Sequence, residues 1–194
     1  MREQIIHVTT GVNGGDSMRS AVFLDRDGVL VGVSIQDGKP LPPTSLATCV
    51  IVPGAPKALL ALSLAGFCLV LVTNRPDIAS GSVSVATVEA MHEMLQNSLP
   101  LDAIYVCPHR DRDQCECRKP KPGLLLQAAK DLLLNVSTSY MIGDQEKDVE
   151  AGKRAGCATL LLDTSYNRLA FPDVRVTSLT DAVAWILKNE YRER

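Results

Sequence analysis

The 194-residue chain is poor in aromatic side chains, which make up 4% of it, with a single tryptophan. That scarcity argues against a surface on which nucleic-acid bases stack. A charge excess is missing too. Lys and Arg number 20 against 22 Asp and Glu, so the net charge of −2 leaves no electrostatic footprint for nucleic acid. Long hydrophobic runs are absent. The most apolar region, residues 58–72, is broken by Ser63 and Gly66 and is too short to span a bilayer, so no membrane association is expected. Residues 1–19 are polar, contain Gly11, Gly14 and Gly15, and lack a secretory pattern. They read as a loosely held tail on a cytoplasmic protein. No internal repeat or second-domain boundary stands out, so residues 20–194 are expected to form one domain and the protein to be a monomer.

What is present is an ordinary soluble composition, 46% apolar and 22% charged. Short apolar runs alternate with helical periodicity. Strands are expected at 20–24, 67–72, 101–106, 139–142 and 158–162, with a short one at 174–176. Helices are expected at 53–65, 82–98, 123–134, 146–155 and 179–188. His92 on the second helix and His7 in the tail read as surface histidines. The irregular stretch 29–48, with Asp37-Gly38 and three prolines, reads as a loop or short hairpin near the first strand's end. Strand–helix alternation gives an α/β fold with a central parallel sheet. Ligands of such sheets gather outside the carboxyl ends of the strands.

Polar groups collect at those ends. The first strand runs Val22-Phe23-Leu24 into Asp25, and Asp27 and Gly28 follow. The second ends in Thr73-Asn74, followed by Arg75. Arg118-Lys119 follow the third, and the fourth ends in Gly143-Asp144, with Asp148 four residues on. A carboxylate can attack phosphorus and form an aspartyl-phosphate. A hydroxyl and an amide can hold phosphate oxygens without adding charge. A lysine supplies compact positive charge to a phosphoryl group. Asp25 and Asp144 offer the oxygen ligands that Mg²⁺ prefers.

A second constellation is Cys107-Pro-His109, then Cys115-Glu-Cys117. Three sulfurs and an imidazole within eleven residues fit tetrahedral Zn²⁺ with no open position. Such a site would pin the loop 107–117 and set the position of Arg118 and Lys119. Cys49, Cys68 and Cys157 lie in or beside apolar runs and are assigned to packing.

Phe23-Leu24-Asp25-Arg26-Asp27-Gly28-Val29, Val72-Thr73-Asn74, Arg118-Lys119-Pro120-Lys121-Pro122-Gly123 and Ile142-Gly143-Asp144 with Asp148 resemble the four ordered motifs of the haloacid dehalogenase (HAD) phosphatases. They span residues 20–156, roughly seven-tenths of the chain. The resemblance implies a three-layer Rossmann-like fold without a large cap domain. It implies Asp25 as nucleophile and Asp27 as general acid and base, with the Asp27 carbonyl also on Mg²⁺. Thr73 and Lys119 would stabilise the phosphoryl group, and Asp144 would complete the metal site. Asp148 would orient a metal-bound water or Lys119. Asn74, Arg75 and Arg118 are candidate substrate contacts, Arg118 for a second phosphate or the substrate body.

The cysteine loop is similar to that of the branch holding heptose-bisphosphate and histidinol-phosphate phosphatases. A small phosphorylated substrate is implied, first the 7-phosphate of D-glycero-D-manno-heptose 1,7-bisphosphate. Histidinol phosphate or another small phosphomonoester is the enzymic alternative, and a catalytically silent metal-binding scaffold the non-enzymic one. Where that branch often carries Gln-Ser-Gly-Ile-Ala-Arg-Gly after the Thr-Asn pair, this chain has Arg75-Pro76-Asp77-Ile78-Ala79-Ser80-Gly81. That change, and loop 32–48, fall where substrate would be recognised.

Overall fold

A computed structural model describes residues 5–8, 18–167 and 169–193, with side chains from 18 to 190 apart from residue 168. The elements run β1 (Ile5–Val8), β2 (Ala21–Leu24), β3 (Ser34–Gln36), β4 (Lys39–Leu41), α1 (Ala55–Leu64) and β5 (Cys68–Asn74). Then come α2 (Pro76–Ser80), α3 (Val85–Ser98), β6 (Ala103–Cys107), α4 (Gly123–Asp131) and β7 (Tyr140–Gly143). The chain closes with α5 (Glu146–Ala155), β8 (Ala158–Leu162), β9 (Val174–Val176) and α6 (Leu179–Glu193). Among the described residues no helix is long and apolar enough to cross a membrane.

The main sheet has the order β1-β6-β5-β2-β7-β8-β9. Six strands are parallel, and β1 joins the β6 edge antiparallel, pairing Ile5 with Val106 and Val8 with Ala103. The expected tail is therefore corrected at Ile5–Val8, an edge strand. Its short IIHV run is an apolar pattern that can add to an open sheet edge. The rest of residues 1–17 lies outside the described residues.

Strand β2 is buried on both faces, and its side chains alternate between two cores. Val22 and Leu24 pack with α1, α3 and α6 on one side, while Ala21 and Phe23 pack with α4 and α5 on the other. This makes three layers. The chain leaves β2 toward β5 and β6, then returns to β7 on the opposite flank. The crevice between β2 and β7 is thus the topological switch point, where α/β sheets place ligands.

Helix α3 starts later than expected because Ser84, not Ser82, caps it by accepting from Thr87 N. A short helix, α2, precedes it. The buried face of α3 is Val88, Met91, His92 and Leu95, the spacing of an apolar stripe. His92 therefore belongs to the interior at 1% exposure, correcting its surface assignment. The stretch after β2 forms the β3–β4 hairpin, turning through Asp37-Gly38 with both residues at positive φ, as a two-residue hairpin turn requires.

Candidate active site

Hydrogen bonding fixes the end of β2 first. Asp25 N donates to Ile142 O on β7, and Arg26 N turns back to Asp25 Oδ1 at 2.8 Å. Gly28 follows at φ 88°. A Cβ at Gly28 would collide with the Asp144 carboxylate, so the absence of a side chain there lets the two strand ends close. Asp25, Asp144 and Asp148 are all buried and each brings a carboxylate oxygen within 4.8 Å of the others.

Lys119 lies among them. Its ammonium is 2.8 Å from Asp25 Oδ1 and 2.7 Å from Asp148 Oδ1, and donates to Val72 O at 2.9 Å. Burial alone would lower the Lys119 pKa, but Asp148 and Asp25 outweigh it and the value is raised. The carboxylates feel the opposite pressure. Burial, then Asp25 and Asp148, push Asp144 up to about 8, and burial and Asp25 also raise Asp148. One ammonium does not balance this group. Asp144 Oδ1 is also buried without a hydrogen-bond partner. The donor set and its orphaned oxygen fit a hard divalent cation.

Asp27 points into the adjoining cleft of about 180 Å³, lined also by Asp25, Thr73, Asn74, Arg118, Gln145 and Lys147. Arg26 folds back onto Asp27 and Arg75 reaches its Oδ2 at 3.3 Å. Burial pushes Asp27 up to about 6, with Asp25 adding and Arg26 opposing. A carboxyl near that value can both give and take a proton around neutrality.

The cysteine loop closes a second centre. Sulfur–sulfur separations among Cys107, Cys115 and Cys117 are 3.1–3.6 Å, and His109 Nδ1 lies 3.3 Å from Cys117 Sγ and 3.6 Å from Cys107 Sγ. These approach the ~3.7 Å edges of a tetrahedron with Zn–S bonds of about 2.3 Å. All six cysteines are free thiols. The hydrogen bond shared with Cys117 and burial push the Cys107 thiol up, a pressure a bound cation would remove. The hollow beside this loop is larger, about 710 Å³, but it contains none of the clustered aspartates.

A HAD-hydrolase-like family profile matches residues 116–182. The D-glycero-beta-D-manno-heptose-1,7-bisphosphate 7-phosphatase of Pasteurella multocida is 40% identical over 149 residues, covering 71% of this chain and 78% of that protein.

The chain belongs to the HAD phosphatases.

The Haemophilus ducreyi protein of the same name is 36% identical over 185 residues, covering 87% of this HAD phosphatase and 98% of the relative. In three dimensions the D,D-heptose 1,7-bisphosphate phosphatase of B. bronchiseptica, complexed with magnesium and phosphate, superposes with a TM-score of 0.77 and 29% identity. It covers 88% of this chain and 99% of its own.

Within this HAD phosphatase the structure brings together Asp25, Asp27, Thr73, Lys119, Asp144 and Asp148. It also brings together Cys107, His109, Cys115 and Cys117. The three candidate substrate contacts are placed differently. Arg75 is 1% exposed and bonds to Asp27, Asp77 and the Pro43 carbonyl, so it braces the site from behind. Asn74 exchanges two hydrogen bonds with the Lys119 backbone. Arg118 reaches the cleft but is held by Asp111 Oδ1 at 2.5 Å and the His109 carbonyl.

Sequence reasoning missed Arg26, Tyr166 and Asn167. Arg26 is fully buried. Its place between two aspartates in the first motif was the one available signal. Tyr166 Oη donates to Asp144 Oδ2 and Asn167 Nδ2 to the Asp144 carbonyl, both at 2.7 Å, from a loop without periodicity.

Proposed function

We propose that this chain removes the 7-phosphate of D-glycero-D-manno-heptose 1,7-bisphosphate through a phosphorylated Asp25. The observation that carries the reaction is the buried Lys119 ammonium between Asp25 and Asp148, with Asp144 alongside and Asp27 facing the same crevice. The relatives' names support the substrate.

An Asp25 carboxylate oxygen attacks phosphorus, and the bond from phosphorus to the sugar oxygen breaks. Asp27 donates its proton to that leaving oxygen. It then takes a proton from water, whose oxygen attacks phosphorus and releases phosphate from Asp25. Lys119 and the Thr73 hydroxyl stabilise negative charge on the phosphoryl oxygens. The Asp25 and Asp144 carboxylates and the Asp27 carbonyl would hold Mg²⁺, which supplies charge neutralisation to the phosphoryl group when bound. Cys107, His109, Cys115 and Cys117 would hold Zn²⁺ as a closed structural site, fixing the loop that delivers Lys119. Reduced thiols of this kind suit the cytoplasm.

Beside Arg118, Lys147 and Lys39 are further cations placed to meet the far phosphate. They line a hollow that shares Pro40, Gln145 and Lys147 with the catalytic cleft.

Phosphate release with Mg²⁺ across heptose bisphosphate, histidinol phosphate and hexose phosphates tests this function. A dominant rate on the heptose bisphosphate is expected, abolished in Asp25→Asn. Preference for histidinol phosphate would overturn the substrate, and an active Asp25→Asn would overturn the mechanism.

A further inference from the structure

Asp144 is held from outside the four motifs. It is fully buried, and its Oδ2 lies against the Cα of Gly28, where no side chain intervenes. Tyr166 Oη donates to that same Oδ2 at 2.7 Å. Oδ1 has no hydrogen-bond partner. The two oxygens of one carboxylate are thus assigned different tasks by their surroundings. The next residue, Asn167, is also buried, and its Nδ2 donates to the Asp144 carbonyl and to Leu162 O, each at 2.7 Å. Consecutive residues of one loop therefore grip the side chain and the main chain of Asp144.

The loop is braced in turn. Arg175, on β9, donates to Asp163 Oδ1 at 3.0 Å, Asn167 O at 3.1 Å and Ala170 O at 2.6 Å. Thr164 N donates to Asn167 Oδ1 at 3.2 Å. This chain of contacts runs from the last strand of the sheet to the metal-type centre. A carboxylate left unheld on Oδ2 could rotate to exchange its oxygens or present both. A hydrogen bond from a neutral hydroxyl prevents this without adding charge, and outer partners of this kind tune metal affinity.

We propose that Tyr166 is a positioning residue for the divalent cation, holding Asp144 Oδ2 so that Oδ1 alone faces the metal. The assignment rests on the reading of Asp144 as a ligand in the proposed reaction.

The test is Tyr166→Phe in the full chain, which removes only the hydroxyl. Mn²⁺, a paramagnetic stand-in for Mg²⁺, is titrated into protein freed of exchangeable cations and followed by electron paramagnetic resonance. Tyr140→Phe serves as control, because the Tyr140 hydroxyl donates to Glu190 away from the site. Tyr166→Phe is expected to raise the Mn²⁺ dissociation constant by about tenfold or more. At saturating Mg²⁺ its kcat should recover, with the substrate KM within about twofold of wild type, and Tyr140→Phe should match wild type throughout. Mn²⁺ affinity unchanged in Tyr166→Phe would overturn the proposal. So would a kcat loss that saturating Mg²⁺ does not restore. Wild-type protein that binds no Mn²⁺ would instead overturn the reading of the metal centre, and the proposal with it.

Discussion

Arg26 and Asp27 are chain neighbours whose side chains close on each other: Arg26 Nη2 and Nε lie 2.8 and 3.0 Å from Asp27 Oδ1. Behind Arg26 stand Met91 and His92 of α3, with His92 Nε2 3.4 Å from Nη1. The proposed proton donor is therefore aimed by a cation anchored in the core.

Replacing that cation with an apolar chain leaves Asp27 held by Arg75 alone. For Arg26→Met a stability loss of about 3–5 kcal/mol is expected, the cost of breaking a buried ion pair from one side. Urea unfolding measures it. At temperatures where the variant is folded, kcat should fall more than KM rises.

Asp144 and Asp148 hold protons more tightly in the folded chain than when unfolded. Such groups favour folding at low pH. Their contribution is lost as pH rises from the ordinary carboxyl value, ~4, through the folded value, about 8 for Asp144. The metal-free melting temperature should fall across this window, and Asp144→Asn should flatten the fall. Mg²⁺ should restore the wild type at pH 8 and not the variant. Calorimetry at several pH values would expose the opposite trend at once.

The zinc proposed for the cysteine loop should act on catalysis at a distance when removed, because Cys117 directly precedes Arg118 and Lys119. Cys115→Ser is expected to lower the melting temperature by about 5–10 °C, a loss of a few kcal/mol in a domain of this size. Phosphate release should drop with it. A dye that binds released zinc reads metal loss directly, and an unchanged melting profile after chelation would remove the structural role.

Lys147 is the cation proposed to reach the far phosphate. Its charge lowers the pKa of both Asp27 and Asp144, and it lines both adjoining hollows. Lys147→Ala should raise KM for a sugar bisphosphate by about tenfold, the loss of one charge-assisted contact. The KM for a matched monophosphate should change little. Steady-state kinetics on the pair separates recognition of the far phosphate from chemistry at the near one.

The aspartate cluster was legible because β2 and β7 are short apolar runs followed directly by an aspartate. A parallel sheet brings such endings to one edge whatever the intervening sequence. The cysteine loop was legible from ligand types and spacing. The burial of Arg75 was not legible, because a lone arginine after Thr73-Asn74 gives no sign of whether it turns outward or into the interior. Its burial depends on Asp77 and the Pro43 carbonyl, the latter from a loop 32 residues away. His92 was misplaced because its partner, Arg26, lies 66 residues away in another element. Tyr166 belongs to the same class, since no periodicity marks a loop hydroxyl that reaches across to a strand end.

The β3–β4 hairpin forms its own two-stranded sheet, apart from the seven-stranded one. Pro40 on β4 and Pro42 just beyond it line the cleft, while Asp25 is pinned by backbone bonding between β2 and β7. Heritable change therefore has two separate substrates to work on. Residues 33–42 can be rewritten, lengthened or exchanged with little disturbance to Asp25, whereas a substitution at Gly28 strikes the Asp144 carboxylate directly. For protein engineering this makes the hairpin the segment to randomise when a new phosphate ester is wanted, with the strand ends held constant.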